Sequence, residues 1–326
     1  MQITPLAADS MGVRSMATLV ETGGVRVLVD PGVTLAASRY GLPPTAEELQ
    51  AQEAAVSRIV GTLCQVDAVV VTHYHDDHMN LLPYVLSTTA VYLKTPVTLQ
   101  ERRQAQDLFP RLQRTGRSFA LVDGTTVGLR DASLTFSKPL PHGKSGCKAG
   151  SVMAVAIKAN DGCFIHGSDV QGPLSGNAFA WLLQQRPDVL YLSGAPTYKL
   201  YYRDENEADT FSYADLRAAK QNLRTLIKYT GCQVILDHYA ARDRNFRRLH
   251  EDLFATGNVV SAAEYLGEAD RPLEAARRGV ADTDPLEPVA PSPYVTAATR
   301  HRELALWDDA GVPTTRRARP LAAAAS

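Results

Sequence analysis

One short segment constrains the fold of this chain more than any other, the wholly apolar run Ala68-Val69-Val70-Val71. A strand without polar residues is typical of a sheet whose two faces are both covered. Metal-capable side chains fill five of the six positions that follow Thr72, namely His73, His75, Asp76, Asp77 and His78. The chain is therefore expected to be an α/β protein with a polar cluster at the exit of a buried strand.

Hydrophobic periodicity and turn residues indicate the other elements. Strands are expected at 16–21, 25–29, 68–71, 90–93, in the alternating stretch 119–136, and at 151–158, 162–166, 189–192 and 233–236. Helices are expected at 45–62, 80–87, 97–108, 178–185, 212–229 and 242–255. The two halves, roughly 1–136 and 150–240, both alternate strands with helices, which fits a layered sandwich with helices outside.

Composition excludes several classes of protein. Of 326 residues, 45% are hydrophobic and 21% are charged, with a formal net charge of −1, so we expect a folded core and no extended nucleic-acid footprint. No apolar run is long enough to span a bilayer and no signal peptide is evident, so no membrane partner is expected. The four cysteines form no CxxC pair and are read as reduced thiols of a cytoplasmic protein.

The composition changes after about residue 268. Ala, Pro, Arg and Asp dominate there, and four prolines lie between 285 and 293. We expect one folded domain over 1–268 and a Pro/Ala/Arg-rich tail over 269–326 that is mostly disordered, with a short helix near 298–307. On this interpretation, deletion of the tail should spare activity.

The cluster after the apolar run has the chemistry of a metal site. Imidazole nitrogens and carboxylate oxygens are good ligands for zinc and neighbouring metals. His73 and His75 are two residues apart on an extended exit and point the same way, so they can bind one ion. Asp77 and His78 lie on the following turn and can address a second. Clustering directly after an apolar strand argues against the alternative of an ordinary polar surface loop.

Further ligands are expected at later strand exits. His142 lies in a loop, Asp169 follows the strand that ends at His166, and His238 follows the strand that ends at Leu236. Taken singly, each can be an ordinary loop residue. Taken together, they place one His, one Asp and one His at successive strand exits, which is consistent with a shared site.

These features resemble the metallo-β-lactamase superfamily over roughly residues 1–260. Its His-x-His-x-Asp-His signature matches residues 73–78, and its Asp-x-Gly turn matches Asp30-Pro31-Gly32. The segments 10–15, 168–173 and 196–198 are similar to an uncharacterised branch familiar from archaeal genomes. The resemblance implies an α/β fold with four layers, an αββα sandwich.

The resemblance also implies a site with two divalent metal ions, with zinc expected and manganese or iron as alternatives. The first ion would be bound by His73, His75 and His142. The second would be bound by Asp77, His78 and His238. Asp169 would bridge the two ions, and Asp30 would orient a metal-binding histidine without binding the metal itself.

The activity expected from such a site is hydrolysis by metal-activated water. A small, anionic ester is the expected substrate, with phosphodiesters slightly ahead of carboxylic esters, thioesters and lactones. An iron-dependent oxidoreductase on the same ligands is an alternative, although His75 argues against the flavodiiron type, which has Glu there. A non-catalytic metal-binding or partner-binding protein is a third hypothesis, and a homo-oligomer remains open.

Six further residues are candidates for catalysis or substrate binding. Asp76 is the first candidate for a general acid or base, with a solvated carboxylate as the alternative. Tyr198 could donate to an oxyanion, and His166 is a catalytic candidate for which a core position is the stronger alternative. Cationic side chains that could bind an anionic substrate group are Arg14, Lys144 and Lys148, for which ordinary surface roles are equally open.

Overall fold

The computed structural model describes residues 1–114, 116, 118–201 and 210–278. The strands of the first half are β1 Gln2–Pro5, β2 Thr18–Thr22, β3 Val25–Val29, β4 Ala68–Val71, β5 Ala90–Leu93 and β6 Ala120–Leu121. They form one sheet in the order β1-β2-β3-β4-β5-β6. The first three strands are antiparallel neighbours, whereas β3 to β6 run parallel, so the carboxyl ends of β3, β4 and β5 meet at one edge.

The second half repeats this arrangement in another sheet. Its strands are β7 Thr126–Leu129, β8 Ala132–Phe136, β9 Leu140–Pro141, β10 Ser151–Val152, β11 Val155–Ala159, β12 Gly162–His166, β13 Val189–Leu192, β14 Gln233–Leu236 and β15 Val259–Val260. Seven of them form the order β15-β14-β13-β12-β11-β8-β7, while β9 and β10 pair separately. Strands β12 to β15 are parallel.

The long helices cover the outer face of each sheet. The helices of the described residues are α1 Ala46–Leu63, α2 Asp76–Met79, α3 Leu99–Arg114, α4 Gly176–Gln185, α5 Tyr213–Thr230, α6 Phe246–Leu249, α7 Glu251–Phe254 and α8 Ala262–Tyr265. One core cluster joins α1 and α3 to the first sheet, and another joins α4 and α5 to the second. A third cluster lies between the two sheets. The αββα sandwich that the sequence predicted is confirmed.

The apolar strand β4 lies where its composition requires. Val69 and Val71 belong to the cluster under α1 and α3, while Ala68 and Val70 belong to the cluster between the sheets. All four residues are fully buried. Since alternate side chains of a strand face opposite sides, an apolar residue was needed at every position.

Two predicted helices differ from the structure. The helix expected at 80–87 is wrong, because the helical turn is α2 at 76–79 and a 3-10 turn follows at Leu82–Tyr84. Asn80 bonds the backbone of Val33 through both of its amide atoms, and this anchors the chain to the loop after β3. The helix expected at 242–255 is instead the two short helices α6 and α7, divided at His250, whose backbone leaves helical geometry.

Two further expectations concern membrane-spanning segments and disulfide bonds. No helix among the described residues is both long enough and apolar enough to cross a membrane. The four cysteines are thiols, and none of them forms a disulfide in the described part of the chain.

The folded domain extends beyond the predicted boundary at residue 268. Arg271 N donates to Ser10 O at 2.7 Å, and Ala275 is fully buried. Arg277 donates through Nε to both carboxylate oxygens of Glu48, at 3.0 and 2.9 Å, and both side chains are fully buried. Residues 270–278 are therefore part of the domain, because their ion pairs and apolar contacts fix them to its first helix. The rest of the predicted tail, including the helix near 298–307, lies outside the described residues.

We expect a chain that ends at residue 268 to be less stable than one that ends at residue 278. The shorter chain leaves the buried Glu48 carboxylate without Arg277, a loss of about 3 kcal/mol or more in the free energy of unfolding. Urea denaturation of the two truncated chains measures the difference. Equal unfolding free energies would show that residues 270–278 contribute nothing to the domain.

The ion pair between Glu274 and Arg14 should make stability depend on pH. Burial alone would raise the pKa of Glu274, but the hydrogen bonds and charge of Arg14 outweigh it and lower the pKa from 4.5 to about 2. A lowered carboxyl pKa stabilises the folded state above pH 4.5, and this contribution disappears as the pH falls toward 2.

Glu274→Gln should therefore lower the free energy of unfolding by about 2 kcal/mol at pH 7, and the difference from wild type should shrink below pH 4.5. Glu21→Gln is the matched control, since Glu21 pairs with Arg26 at the surface and its loss should cost about 0.5 kcal/mol or less. A Glu274→Gln difference that stays constant from pH 7 to pH 3 would contradict this account.

Candidate metal centre

Seven metal-capable side chains meet at one edge of the sandwich, where parallel strands of both sheets end. Four follow β4 and the rest follow β9, β12 and β14, so the set combines both halves of the chain. The residues are His73, His75, Asp77, His78, His142, Asp169 and His238. The sequence proposed all seven, and the structure brings them into two adjoining groups.

The first group consists of His73, His75, His142 and Asp169, whose ligand atoms all lie within 4.8 Å of one another. His73 Nε2 lies 3.0 Å from His75 Nδ1, and His142 Nε2 lies 3.0 Å from Asp169 Oδ2. Such a compact set of three imidazoles and one carboxylate can surround a single divalent ion.

The second group consists of Asp77, His78 and His238, again within 4.8 Å. His238 Nε2 lies 3.6 Å from Asp77 Oδ2, and His78 Nε2 lies 4.0 Å from Asp77 Oδ1. Asp169 adjoins this group as well, with Oδ2 at 3.5 Å from His78 and Oδ1 at 3.7 Å from His238. Its carboxylate thus reaches both groups.

Several ligand atoms point inward without a hydrogen-bond partner. Among the described residues, His78 Nε2, His142 Nε2 and both carboxylate oxygens of Asp169 are buried and lack a partner of acceptable geometry. Orphaned buried polar atoms are costly unless an ion or water satisfies them. The residues present therefore fit the metal that the sequence implied.

The pKa values of the clustered side chains also bear on metal binding. Burial lowers the pKa of His73 to about 4 and lowers the pKa of His75 well below its usual value, so both are neutral at pH 7 and offer a lone pair. Burial opposes ionisation of Asp169 too, but His78 and His238 outweigh it and hold its pKa well below the usual range. The cluster thus combines the neutral imidazoles of His73 and His75 with the ionised carboxylate of Asp169. Although burial opposes the charged form of His78, the carboxylates of Asp169 and Asp30 raise its pKa well above the usual value, so a divalent ion must displace a proton from this ring.

The carboxylate of Asp30 joins the end of β3 to the segment that follows β4. This carboxylate accepts from Thr72 N at 2.8 Å, from Thr72 Oγ1 at 2.7 Å and from His78 Nδ1 at 2.8 Å. The bond at Nδ1 leaves His78 Nε2 directed at the cluster. Gly32 is required nearby, because a Cβ there would lie 2.4 Å from Met79 N. The predicted role for Asp30 as an orienting residue matches these contacts.

Sequence reasoning missed three residues around His238. Asp9 Oδ2 accepts from His238 Nδ1 at 2.7 Å, as Asp30 does for His78. Arg242 donates to Asp9 at 2.9 Å and to Asp77 at 3.1 Å. The ring centroid of Tyr239 is 4.9 Å from that of His238. The spacing of four between His238 and Arg242 was the available signal, but Arg242 was interpreted as the start of a basic helix over 242–255.

The catalytic candidates lie in different places. Asp76 is exposed and lines a cavity of about 490 Å³ beside His75, outside both ligand groups. Tyr198 is buried, with the Arg39 guanidinium 4.3 Å above its ring. His166 is fully buried and its Nε2 contacts Met16 O at 3.1 Å, while its Nδ1 lies 3.9 Å from Asp30. The structure places His166 in the core behind Asp30, so the catalytic assignment is replaced by the core alternative.

Two of the three cationic candidates, Arg14 and Lys144, are partnered by carboxylates. Arg14 bonds both oxygens of Glu274, at 2.5 and 2.6 Å, because residues 270–278 return to this edge. Lys144 Nζ lies 3.4 Å from Asp215. Lys148 is exposed in the loop between β9 and β10. Arg14 is therefore corrected from a free anion-binding side chain to a member of an ion pair.

Known proteins resemble this chain in sequence. The model of the metallo-beta-lactamase superfamily matches residues 11–144. A UPF0282 protein of Methanopyrus kandleri is 40% identical over 294 residues, which is 85% of this chain and 98% of that protein. A UPF0282 protein of Thermococcus gammatolerans is 33% identical over 296 residues, covering 85% of this chain and 94% of that protein.

Solved structures also align with this chain. An isothiocyanate hydrolase from Delia radicum gut bacteria aligns with a TM-score of 0.49 at 13% identity, covering 80% of this chain and 95% of that one. The metallo-beta-lactamase fold protein YhfI of Bacillus subtilis aligns with a TM-score of 0.45 at 14% identity, covering 72% and 84%. With its matched relatives and its two-sheet sandwich, the chain belongs to the UPF0282 family, an archaeal branch of the metallo-beta-lactamase superfamily.

Proposed function

We propose that the protein is a metal-dependent hydrolase that cleaves an ester-type bond with water activated at a site for two divalent ions, zinc in the first place. One observation carries this proposal: the metal-capable atoms of seven side chains converge in two adjoining groups, and several of them are buried without a partner among the described residues. Membership in the superfamily supports the same class of reaction.

In the proposed site, His73, His75 and His142 would hold one ion, and Asp77, His78 and His238 would hold the other. The Asp169 carboxylate would serve both ions, because its two oxygens face both groups. Ions bound there supply Lewis acidity, which lowers the pKa of a bound water and polarises a substrate oxygen. Asp30 and Asp9 fix the tautomers of His78 and His238, so that each presents Nε2 to the cluster.

The surroundings support a small substrate. The cavity of about 490 Å³ beside His75 has room for a small molecule, and it is lined by polar side chains such as Asp76, Gln104 and Arg111 as well as by apolar ones. Asp76 lines that cavity, which supports it as our candidate for the general acid or base. A phosphodiester remains the first choice of substrate, although the pairing of Arg14 with Glu274 removes part of the reason for it.

Asp169→Asn should reduce metal binding from two zinc ions per chain toward one and abolish hydrolysis, because a neutral amide cannot bridge two cations. Equilibrium dialysis against saturating zinc, followed by elemental analysis, measures the stoichiometry. A panel of phosphodiester, carboxylic ester, thioester and lactone substrates measures activity. Two ions bound by the variant would refute the bridging role, and a metal-loaded wild type that turns over no substrate of the panel would count against the hydrolase. Iron with oxygen consumption would instead favour the oxidoreductase alternative.

Asp30→Asn should weaken zinc binding by about 10- to 100-fold, as is usual when the partner of a ligating histidine is lost. The asparagine can still accept a bond from Thr72, but it no longer offers a carboxylate to both Thr72 Oγ1 and His78 Nδ1. Asp188→Asn is the matched control, since Asp188 bonds Cys163 N at 2.8 Å near the start of β12, away from the strand exits. Zinc affinities follow from competition with a chromophoric chelator, and a folded Asp30→Asn protein with wild-type affinity would contradict the orienting role.

A further inference from the structure

A buried arginine lies against the second group of ligand side chains. Arg242 Nη2 donates to Asp77 Oδ2 at 3.1 Å, and its side chain is only 5% exposed. The same Nη2 is 3.0 Å from Nε2 and 3.2 Å from Nδ1 of His238. An atom in the plane of an imidazole cannot be that close to both nitrogens, so the guanidinium lies over the ring face.

The guanidinium is fixed in this position from several sides. Its Nε donates to Asp9 Oδ1 at 2.9 Å, while Asp9 Oδ2 holds His238 Nδ1. Its central carbon lies 4.6 Å from the ring centroid of Tyr239, and Arg39 donates to the backbone oxygen of Arg242 at 3.0 Å. The Nη2 end is therefore held toward Asp77, and arginine carries its charge at every physiological pH.

The distances set how close this charge comes to an ion in the second group. Asp77 Oδ2 and His238 Nε2 are 3.6 Å apart, and Nη2 is about equally far from both. Any divalent ion that bound both atoms at about 2.1 Å would lie within about 4 Å of Nη2, where like charges repel strongly inside a protein. Arg242 also already neutralises the Asp77 carboxylate.

The first group has different neighbours. Its contacts are between imidazoles and the Asp169 carboxylate, with His73 Nε2 at 3.4 Å and His142 Nε2 at 3.0 Å from Asp169 Oδ2. We propose that Arg242 makes the Asp77/His78/His238 position the weaker of two metal positions, so that the chain fills the His73/His75/His142/Asp169 position first and the second only at a higher metal concentration. This inference rests on the proposed metal site and adds an order of loading to it.

Titration of the apo-protein with zinc tests the proposal without reference to activity. Calorimetry and competition with a chelator measure the two dissociation constants. Wild type should bind two ions with dissociation constants that differ at least about tenfold. Arg242→Gln, which keeps a hydrogen-bonding side chain but removes the charge, should tighten the weaker position at least about tenfold and leave the stronger one unchanged. Arg242→Lys, which keeps the charge, should resemble wild type.

Arg14→Gln is the matched control, because it removes a nearby guanidinium that, within the described part of the chain, contacts Glu274 and none of the seven candidate ligands. It should leave both affinities within about threefold of wild type. Equal affinities of the two positions in wild type, or an Arg242→Gln protein whose weaker position is unchanged, would overturn the proposal.

Wild-type crystals soaked with one and then with excess equivalents of zinc give a second measurement that needs no variant. The anomalous signal should appear first between His73, His75 and His142, and near Asp77 and His238 only in excess zinc. Equal occupancy at one equivalent refutes the order of loading while it supports the metal site. A protein that binds no zinc at either position refutes this inference and the proposed function together.

Discussion

The candidate site depends on one buried carboxylate, that of Asp30. Asp30 directly follows β3, and its backbone amide donates to Val70 O at 2.8 Å, so the residue is also hydrogen-bonded to the neighbouring strand β4. Its oxygens accept from Thr72 and His78, which joins the exit of β4 to the short helix α2. If this carboxylate were lost, its hydrogen bonds to Thr72 and His78 would be lost with it, and the inward direction of His78 would no longer be fixed. The same side chain thus serves the fold and the proposed metal chemistry.

The strand exits that build the site also carry unusual backbone conformations. Asp30, Ser168 and His238 have φ angles of 52°, 56° and 52°, in the left-handed region that side chains seldom adopt. Each lies just after a parallel strand of one of the two sheets, and Ser168 Oγ bonds Thr72 Oγ1 at 2.7 Å across them. Such strain persists only where the surroundings fix it, and here the buried core of both sheets does so. A rigid scaffold of this kind suits ligands that must be held in place before an ion arrives.

Sequence patterns predicted the architecture well because the core of this protein is built from short, strongly patterned elements. The strands 68–71, 189–192 and 233–236 were placed at their observed bounds. The errors fall where contacts with distant segments override the structure that the local sequence prefers. The pattern of the segment 242–255 predicts a basic helix, yet the Arg242 side chain donates a hydrogen bond to Asp77, which lies 165 residues earlier in the chain. The composition of residues 270–278 predicts the start of a tail, yet Arg277 forms a buried ion pair with Glu48 of the first helix.

The sequence by itself indicated a layered α/β sandwich and a metal-capable cluster after β4, and its resemblance to the metallo-beta-lactamase superfamily implied the αββα class and the full set of seven candidate ligands. The resemblance also implied how those ligands divide into two groups, and the structure brings them together in that arrangement, with Asp169 facing both. Only the tertiary structure decided that Arg14 is bound by Glu274 and that Arg242 lies over His238. Hydrophobic periodicity is local and can be read along the chain, whereas the partner of a buried charge is set by which segments the folded core brings together.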